Sequence, residues 1–248
     1  MYNNSIINQI PPVTKNIIIV NVIIFLAMTI FPNEIGVMLN RYCGLHYFFA
    51  NDFIATQFIS YQFIHGGFSH LFFNMFSLFI FGMIIESIFG AKRFLIYYLT
   101  CGIGAGIIQQ IAYYVDIQLL LQENVTRIMS QAPSLTPSEI IPQLLNDPTY
   151  DIFLNRLTTV GASGSIYGIL LAFALFFPNR PMYIMFIPVP IKAKWVIAGY
   201  VVIDLFLGIS NFNTGIAHFA HVGGMVFGFL LLLYWRKKGI IRRNGEYY

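Results

Sequence analysis

The sequence predicts an all-α polytopic membrane protein with six transmembrane helices. Only 10% of its 248 residues are charged, against 57% hydrophobic and 17% aromatic, and the mean hydropathy is +0.70. Soluble domains cover their surface with about 25% charged residues, so much of this chain must face a medium other than water. The second observation is a series of apolar runs, most of them near the 20 or so residues that cross a bilayer. The third is the alternation of basic residues between those runs. The formal net charge of +4 does not argue for nucleic acid as a partner, because the basic residues sit in short clusters between apolar runs and form no patch on a folded domain. Two cysteines, Cys43 and Cys101, the second within an apolar run, imply neither a disulfide framework nor a paired-cysteine metal site.

The spans are expected at about 16–31, 67–89, 94–115, 163–177, 195–210 and 216–235. The first has few basic residues ahead of it, and Phe31-Pro32 lacks the small residues of a cleavage site, so it is read as a retained helix. Positive residues in short loops mark the cytoplasmic side. One set of segments holds 11 of them: Lys15, Lys92, Arg93, Arg180, Lys192, Lys194, Arg236, Lys237, Lys238, Arg242 and Arg243. The opposite set holds 3: Arg41, Arg127 and Arg156. Both termini are therefore expected in the cytoplasm, with 236–248 a basic cytoplasmic tail. Two outer segments are long. The aromatic-rich stretch 32–66 suits an interfacial loop. In 116–157, Thr136-Pro137-Ser138-Glu139 has the form of a helix start and predicts an extramembrane helical insertion.

Polar side chains within membrane spans mark function by default. Here they are His70, Asn74, Glu86, Ser163, Ser165, Asp204, His218 and His221. At 1.5 Å per residue from the cytoplasmic helix ends, Ser163 and His221 both lie about 21 Å up, Asn74 about 22 Å and His70 about 28 Å. In a hydrocarbon core of about 30 Å this is one layer near the outer leaflet. Ser163 also stands where Gly161-Ala162-Ser163-Gly164 turns into helix four, and a helix N-terminus offers unpaired N–H groups and the positive end of the dipole. A serine becomes a nucleophile when a base takes its proton, and imidazole suits that role near neutrality. His221 is the candidate base, with His218 one turn away as its rival, while Ser165 is the rival nucleophile. His70 and Asn74 are candidate donors to an oxyanion. Taken alone, Gly-Ala-Ser-Gly equally describes small residues at a helix-packing seam.

Three segments carry a resemblance. They are His65-Gly-Gly-Phe-Ser-His70-Leu-Phe-Phe-Asn74, Gly161-Ala-Ser163-Gly164-Ser-Ile-Tyr167-Gly168 and Ala220-His221-Val-Gly-Gly224-Met-Val-Phe-Gly228. In order and spacing they resemble the rhomboid family of intramembrane serine proteases, over about residues 16 to 235. The resemblance implies a rhomboid-like bundle with a short central helix four, and a serine endopeptidase without metal or other cofactor. Its substrates would be transmembrane proteins within the bilayer, here expected to be a bacterial cytoplasmic membrane. It implies Ser163 as nucleophile and His221 as base, a pair without a third carboxylate. His70 and Asn74 would stabilise the oxyanion and Tyr167 would pack on the imidazole. Gly161 and Gly164 would serve close packing, and Gly224 and Gly228 would bring helix six against helix four. Glu86 resembles a structural hydrogen-bonding residue, His65 a structural loop histidine, and Asp204, which has no counterpart, is expected to be buried and structural. Thr56-Gln57 stands where some members carry Trp-Arg. The alternative expectation is a catalytically inactive relative that only binds membrane segments. A transporter built around a polar cavity would need a continuous path inward, and below the Ser163 layer only Glu86 and Asp204 offer polarity.

Overall fold

In the computed structural model, residues 10–184, 187–210 and 217–241 are described. Arg242 and Arg243 of the basic tail, and residue 216 at the expected start of span six, lie outside them. Helix α1 runs Pro12–Ile30, followed by a π-helical turn and α2 (Val37–Cys43). After strand β1 (Leu45–His46) and the short α3 (Gln57–Ser60) comes α4, Phe68–Phe89, which contains a π-helical turn at Leu78–Gly82. Helix α5 spans Ala91–Gln131, and α6 (Pro137–Leu145) and α7 (Pro148–Arg156) follow it. Strand β2 (Thr158–Thr159) leads to α8 (Ser163–Phe176). The hairpin β3 (Pro181–Ile184) and β4 (Ile187–Lys192) then leads to α9 (Ala193–Ile209) and α10 (His218–Lys237).

Among the described residues, four helices, α1, α4, α5 and α10, are long and apolar enough to cross a membrane, and α8 is a shorter apolar helix. Apolar side chains also face outward on α1 and α9: Ile23, Ile30, Val202 and Ile209 are each more than half exposed. Such a surface suits hydrocarbon and not water. Inside, Phe89, Phe94, Tyr97, Tyr98, Ile169 and Trp235 are buried in one core where α4, α5, α8 and α10 meet.

Two features depart from the sequence reading. Helix α5 does not stop near residue 115 but continues unbroken to Gln131. At 1.5 Å per residue it is about 60 Å long, twice the thickness of a hydrocarbon core, so about half of it must project beyond. No Pro or Gly interrupts 107–131, which is why the change from apolar to polar composition does not end the helix. The insertion is therefore a continuation of that helix, joined to α6, where Thr136 and Glu139 form a capping box, and to α7, capped by Asp147. The second departure is the presence of strands. β1 and β2 pair antiparallel, Leu45 with Thr159 and His46 with Thr158, while β3 and β4 form the hairpin between α8 and α9.

The middle of α5 braces that first strand pair. Gln110 Nε2 donates to His46 O (2.8 Å), Phe48 N donates to Gln110 Oε1 (2.9 Å), and Tyr113 OH lies 2.9 Å from Thr159 Oγ1. The segment 32–66 is thus anchored to the body, and its Arg41 and Asp52 form an ion pair at 2.8 Å.

At the other end of the bundle, Glu86 is buried and accepts hydrogen bonds from Val13 N (2.9 Å) and Thr14 N (2.7 Å). These are first-turn donors of α1 that have no partner within their own helix. One carboxylate therefore caps α1, complements its dipole and fixes it to α4. Glu86→Ala should lower stability by about 1–3 kcal/mol, and Glu86→Gln by less. Unfolding of both variants in detergent, followed by tryptophan fluorescence, would measure it, and an unchanged Glu86→Ala midpoint would contradict the capping role.

Candidate active site

The chain reaches the site through β2. Gly161 N donates to Tyr61 O (2.9 Å), and Gly161 has φ +119°, a conformation rarely open to residues with a side chain. A Cβ here would stand 2.6 Å from His70 Nε2, so the absence of a side chain also lets His70 lie against this backbone. Ala162 follows as the N-cap of α8, which makes Ser163 its first residue.

Ser163 Oγ lies 3.0 Å from His221 Nε2. The contact depends on how closely α8 and α10 approach. A Cβ on Gly224 would collide with the Gly164 carbonyl, and one on Gly164 would collide with the Ala105 Cβ of α5. Gly228 behaves differently from the expectation. It faces Tyr97 OH and Cys101 Sγ of α5, so it seats α10 on α5 and not on α8. Tyr97 OH in turn donates to Gly168 O (2.8 Å), tying α5 to α8. Tyr167, one turn below Ser163, stacks on the His221 ring at 4.0 Å and 15°.

Of the two candidate bases, His221 is the one bonded to Ser163. Of the two candidate nucleophiles, Ser165 is fully buried, and its hydroxyl is shared between Tyr98 O (2.8 Å) and Gln62 Oε1 (2.9 Å). It fastens α8 to α5 and the 61–63 turn. His70 and Asn74 line the same cavity as Ser163 and His221. The Asn74 amide is buried, and its Nδ2 donates no hydrogen bond among the described residues. His65 is buried and sets its ring edge against His70 at 5.0 Å.

The cavity has a volume of about 1250 Å³. Its walls include Asp116, Glu123 and Arg156 from α5 and α7. With Ser163 and His221 among its lining residues, the cavity has polar walls within an otherwise apolar bundle.

One residue was missed as a site residue. Asp204 of α9, expected to be structural, is buried, and its Oδ1 lies 3.2 Å from His221 Nδ1 and 2.7 Å from His218 Nδ1. The pair inferred without a carboxylate thus has one on the far nitrogen of its imidazole. The available signal was that an aspartate inside a span is costly and normally functional. These three side chains place ligand-type atoms within 4.8 Å of one another, a donor set that suits a transition metal. The separations of 2.7 and 3.2 Å are, however, those of N–H···O hydrogen bonds.

A family model described as Rhomboid domain matches residues 53–238. The chain belongs to the rhomboid family. No curated protein matches it. Rhomboids are generally intramembrane proteases, and the matched region of this one contains every residue of the cavity described above.

In this rhomboid, Gly224→Ala should force α10 away from α8 and lengthen the Ser163–His221 contact. Labelling of Ser163 by a fluorophosphonate should fall by roughly 10²-fold, since displacement of a reacting group by about 1 Å has that effect. Gly199→Ala, where a Cβ would meet nothing within 4 Å, is the control. Equal labelling of the two variants would show that the glycine contact does not set the site.

Proposed function

We propose that this rhomboid is an intramembrane serine endopeptidase that hydrolyses peptide bonds in or near transmembrane segments of other proteins, using Ser163 and His221. The observation that carries the proposal is the 3.0 Å contact between Ser163 Oγ and His221 Nε2 at the wall of a polar cavity. The unpartnered Asn74 Nδ2 in the same cavity supports it, because a donor buried without a partner is costly unless a reaction uses it.

In the proposed reaction, His221 Nε2 accepts the Ser163 hydroxyl proton as Oγ attacks the scissile carbonyl carbon. A C–O bond forms, and the carbonyl π electrons move to oxygen. Asn74 Nδ2–H, His70 and the N–H groups opening α8 stabilise that oxyanion. Collapse of the intermediate breaks the C–N bond, and the amine leaves with the proton from Nε2. Water from the cavity then hydrolyses the Ser163 ester by the same steps in reverse order of roles. Stacking on Tyr167 keeps the imidazole in plane throughout.

The accompanying topology has six spans, α9 and the short α8 being added to the four longest helices, with both termini in the cytoplasm of a bacterial cell. The segments 32–66 and 116–157 then lie on the outer face. Because a bilayer satisfies no backbone hydrogen bonds, a substrate helix must unwind locally before its carbonyl can be attacked. Small or helix-breaking residues near the cut should therefore favour cleavage.

Incubating the purified protein in vesicles with a single-span substrate tests the reading. Ser163→Ala and His221→Ala should abolish both cleavage and fluorophosphonate labelling, and Asn74→Ala should lower kcat by roughly 10²-fold. Cleavage surviving in Ser163→Ala would reject the assignment. A parent protein that is folded but neither labels nor cleaves would favour a relative that only binds membrane segments.

A further inference from the structure

We infer that Asp204 is a positioning residue for His221, orienting the imidazole that serves Ser163, and that His218 anchors its carboxylate. The inference rests on the serine-protease reading of the same site.

The argument starts from the proton inventory of imidazole. A neutral ring carries one N–H. If that hydrogen is on Nε2, it points at Ser163 and the ring cannot accept the serine proton. If it is on Nδ1, the Nε2 lone pair faces Ser163 Oγ and the ring is a competent base. An ionised carboxylate only accepts hydrogen bonds. With Asp204 Oδ1 at 3.2 Å from Nδ1, the stable arrangement places the hydrogen on Nδ1 and leaves Nε2, 3.0 Å from Ser163 Oγ, free to receive. The orientation of the hydrogen-bond partner on one nitrogen thus selects the chemistry of the other.

His218 stands at i−3 from His221 on α10, and so on the same helical face. Its Nδ1 lies 2.7 Å from the same Oδ1, while Asp204 Oδ2 has no hydrogen-bond partner among the described residues. Both contacts therefore converge on a single oxygen, which pins the carboxylate in rotation. Asp204 is 4% exposed, so its charge is little screened by water. A second contact reinforces the arrangement, because Tyr200, one turn before Asp204 on α9, lies 6.0 Å from the Tyr167 ring that stacks on His221. Helix α9 thus reaches the imidazole both directly and through Tyr167. During acylation, Asp204 takes no proton. It remains charged beside Nδ1–H while Nε2 gains and then returns the serine proton, and it stabilises the imidazolium in between.

The test uses the full chain with ring-¹⁵N-labelled histidine in detergent micelles, alongside cleavage kinetics. In the parent, the His221 ring, assigned by its loss in His221→Ala, should give an Nδ1–H signal and an unprotonated Nε2. In Asp204→Asn that Nδ1–H signal should weaken or vanish, and kcat should fall by roughly 10²-fold or more with KM changed by less than about twofold. A purely structural Asp204 would move neither the tautomer nor kcat separately from KM. A parent His221 protonated at Nε2, or an Asp204→Asn variant whose kcat stays within about threefold of the parent, would overturn the inference. Should Asp204→Asn fail to fold, the parent spectrum alone decides. Cleavage persisting in Ser163→Ala would sink the protease reading instead, and the histidine spectrum would still report whether Asp204 sets the tautomer.

Discussion

The site depends on two helix backbones touching. Ser163 is on α8 and His221 on α10, and a 3.0 Å bond between their side chains requires their axes to pass closer than most side chains permit. Gly224 removes the obstruction at the level of the pair, where a single added methyl group would strike the Gly164 carbonyl, and Gly164 in turn lies against the Ala105 Cβ of α5. In an apolar medium, helices gain nothing from hydrophobic exclusion, so association relies on such close packing and on interhelical hydrogen bonds. The bonds from Tyr97 to Gly168 O and from Ser165 to Tyr98 O supply the second ingredient at neighbouring turns.

From that contact outward, the rest of the architecture keeps two incompatible environments apart. The bundle presents apolar side chains outward and an aromatic core inward, yet the proposed hydrolysis requires water and a developing negative charge. The cavity resolves this by opening among α5, α7 and the ends of α4, α8 and α10, where Asp116, Glu123 and Arg156 line it. The middle of α5 is part of the same solution. It supports the β1–β2 pair, and β2 delivers the chain into the positive-φ turn at Gly161 that sets Ser163 and His70 in place.

Much of the site was legible before any coordinates, for a physical reason specific to membranes. Polar side chains are costly in a bilayer, so Ser163, His221, His70 and Asn74 stood out against an apolar background, and the four line one cavity. Legibility failed where the partner was not implied by depth or spacing. Asp204 lies roughly 16 Å above the start of α9, a few ångströms below His221, and only side-chain direction brings its carboxylate to the imidazole. Gly228 shares the four-residue spacing of Gly224, but α10 touches two helices along its length and the spacing does not say which.

The sequence by itself determined the class of the protein, the positions of its apolar helices and the residue types that meet, because hydropathy, charge asymmetry and helical rise are local properties of the chain. The tertiary structure alone decided that Ser165 is fastened in the core. It also placed a carboxylate on α9 at the second nitrogen of His221. Those outcomes depend on the rotation of one helix against another, a quantity fixed by packing at Gly164, Gly224 and Gly228 together and carried by no single segment.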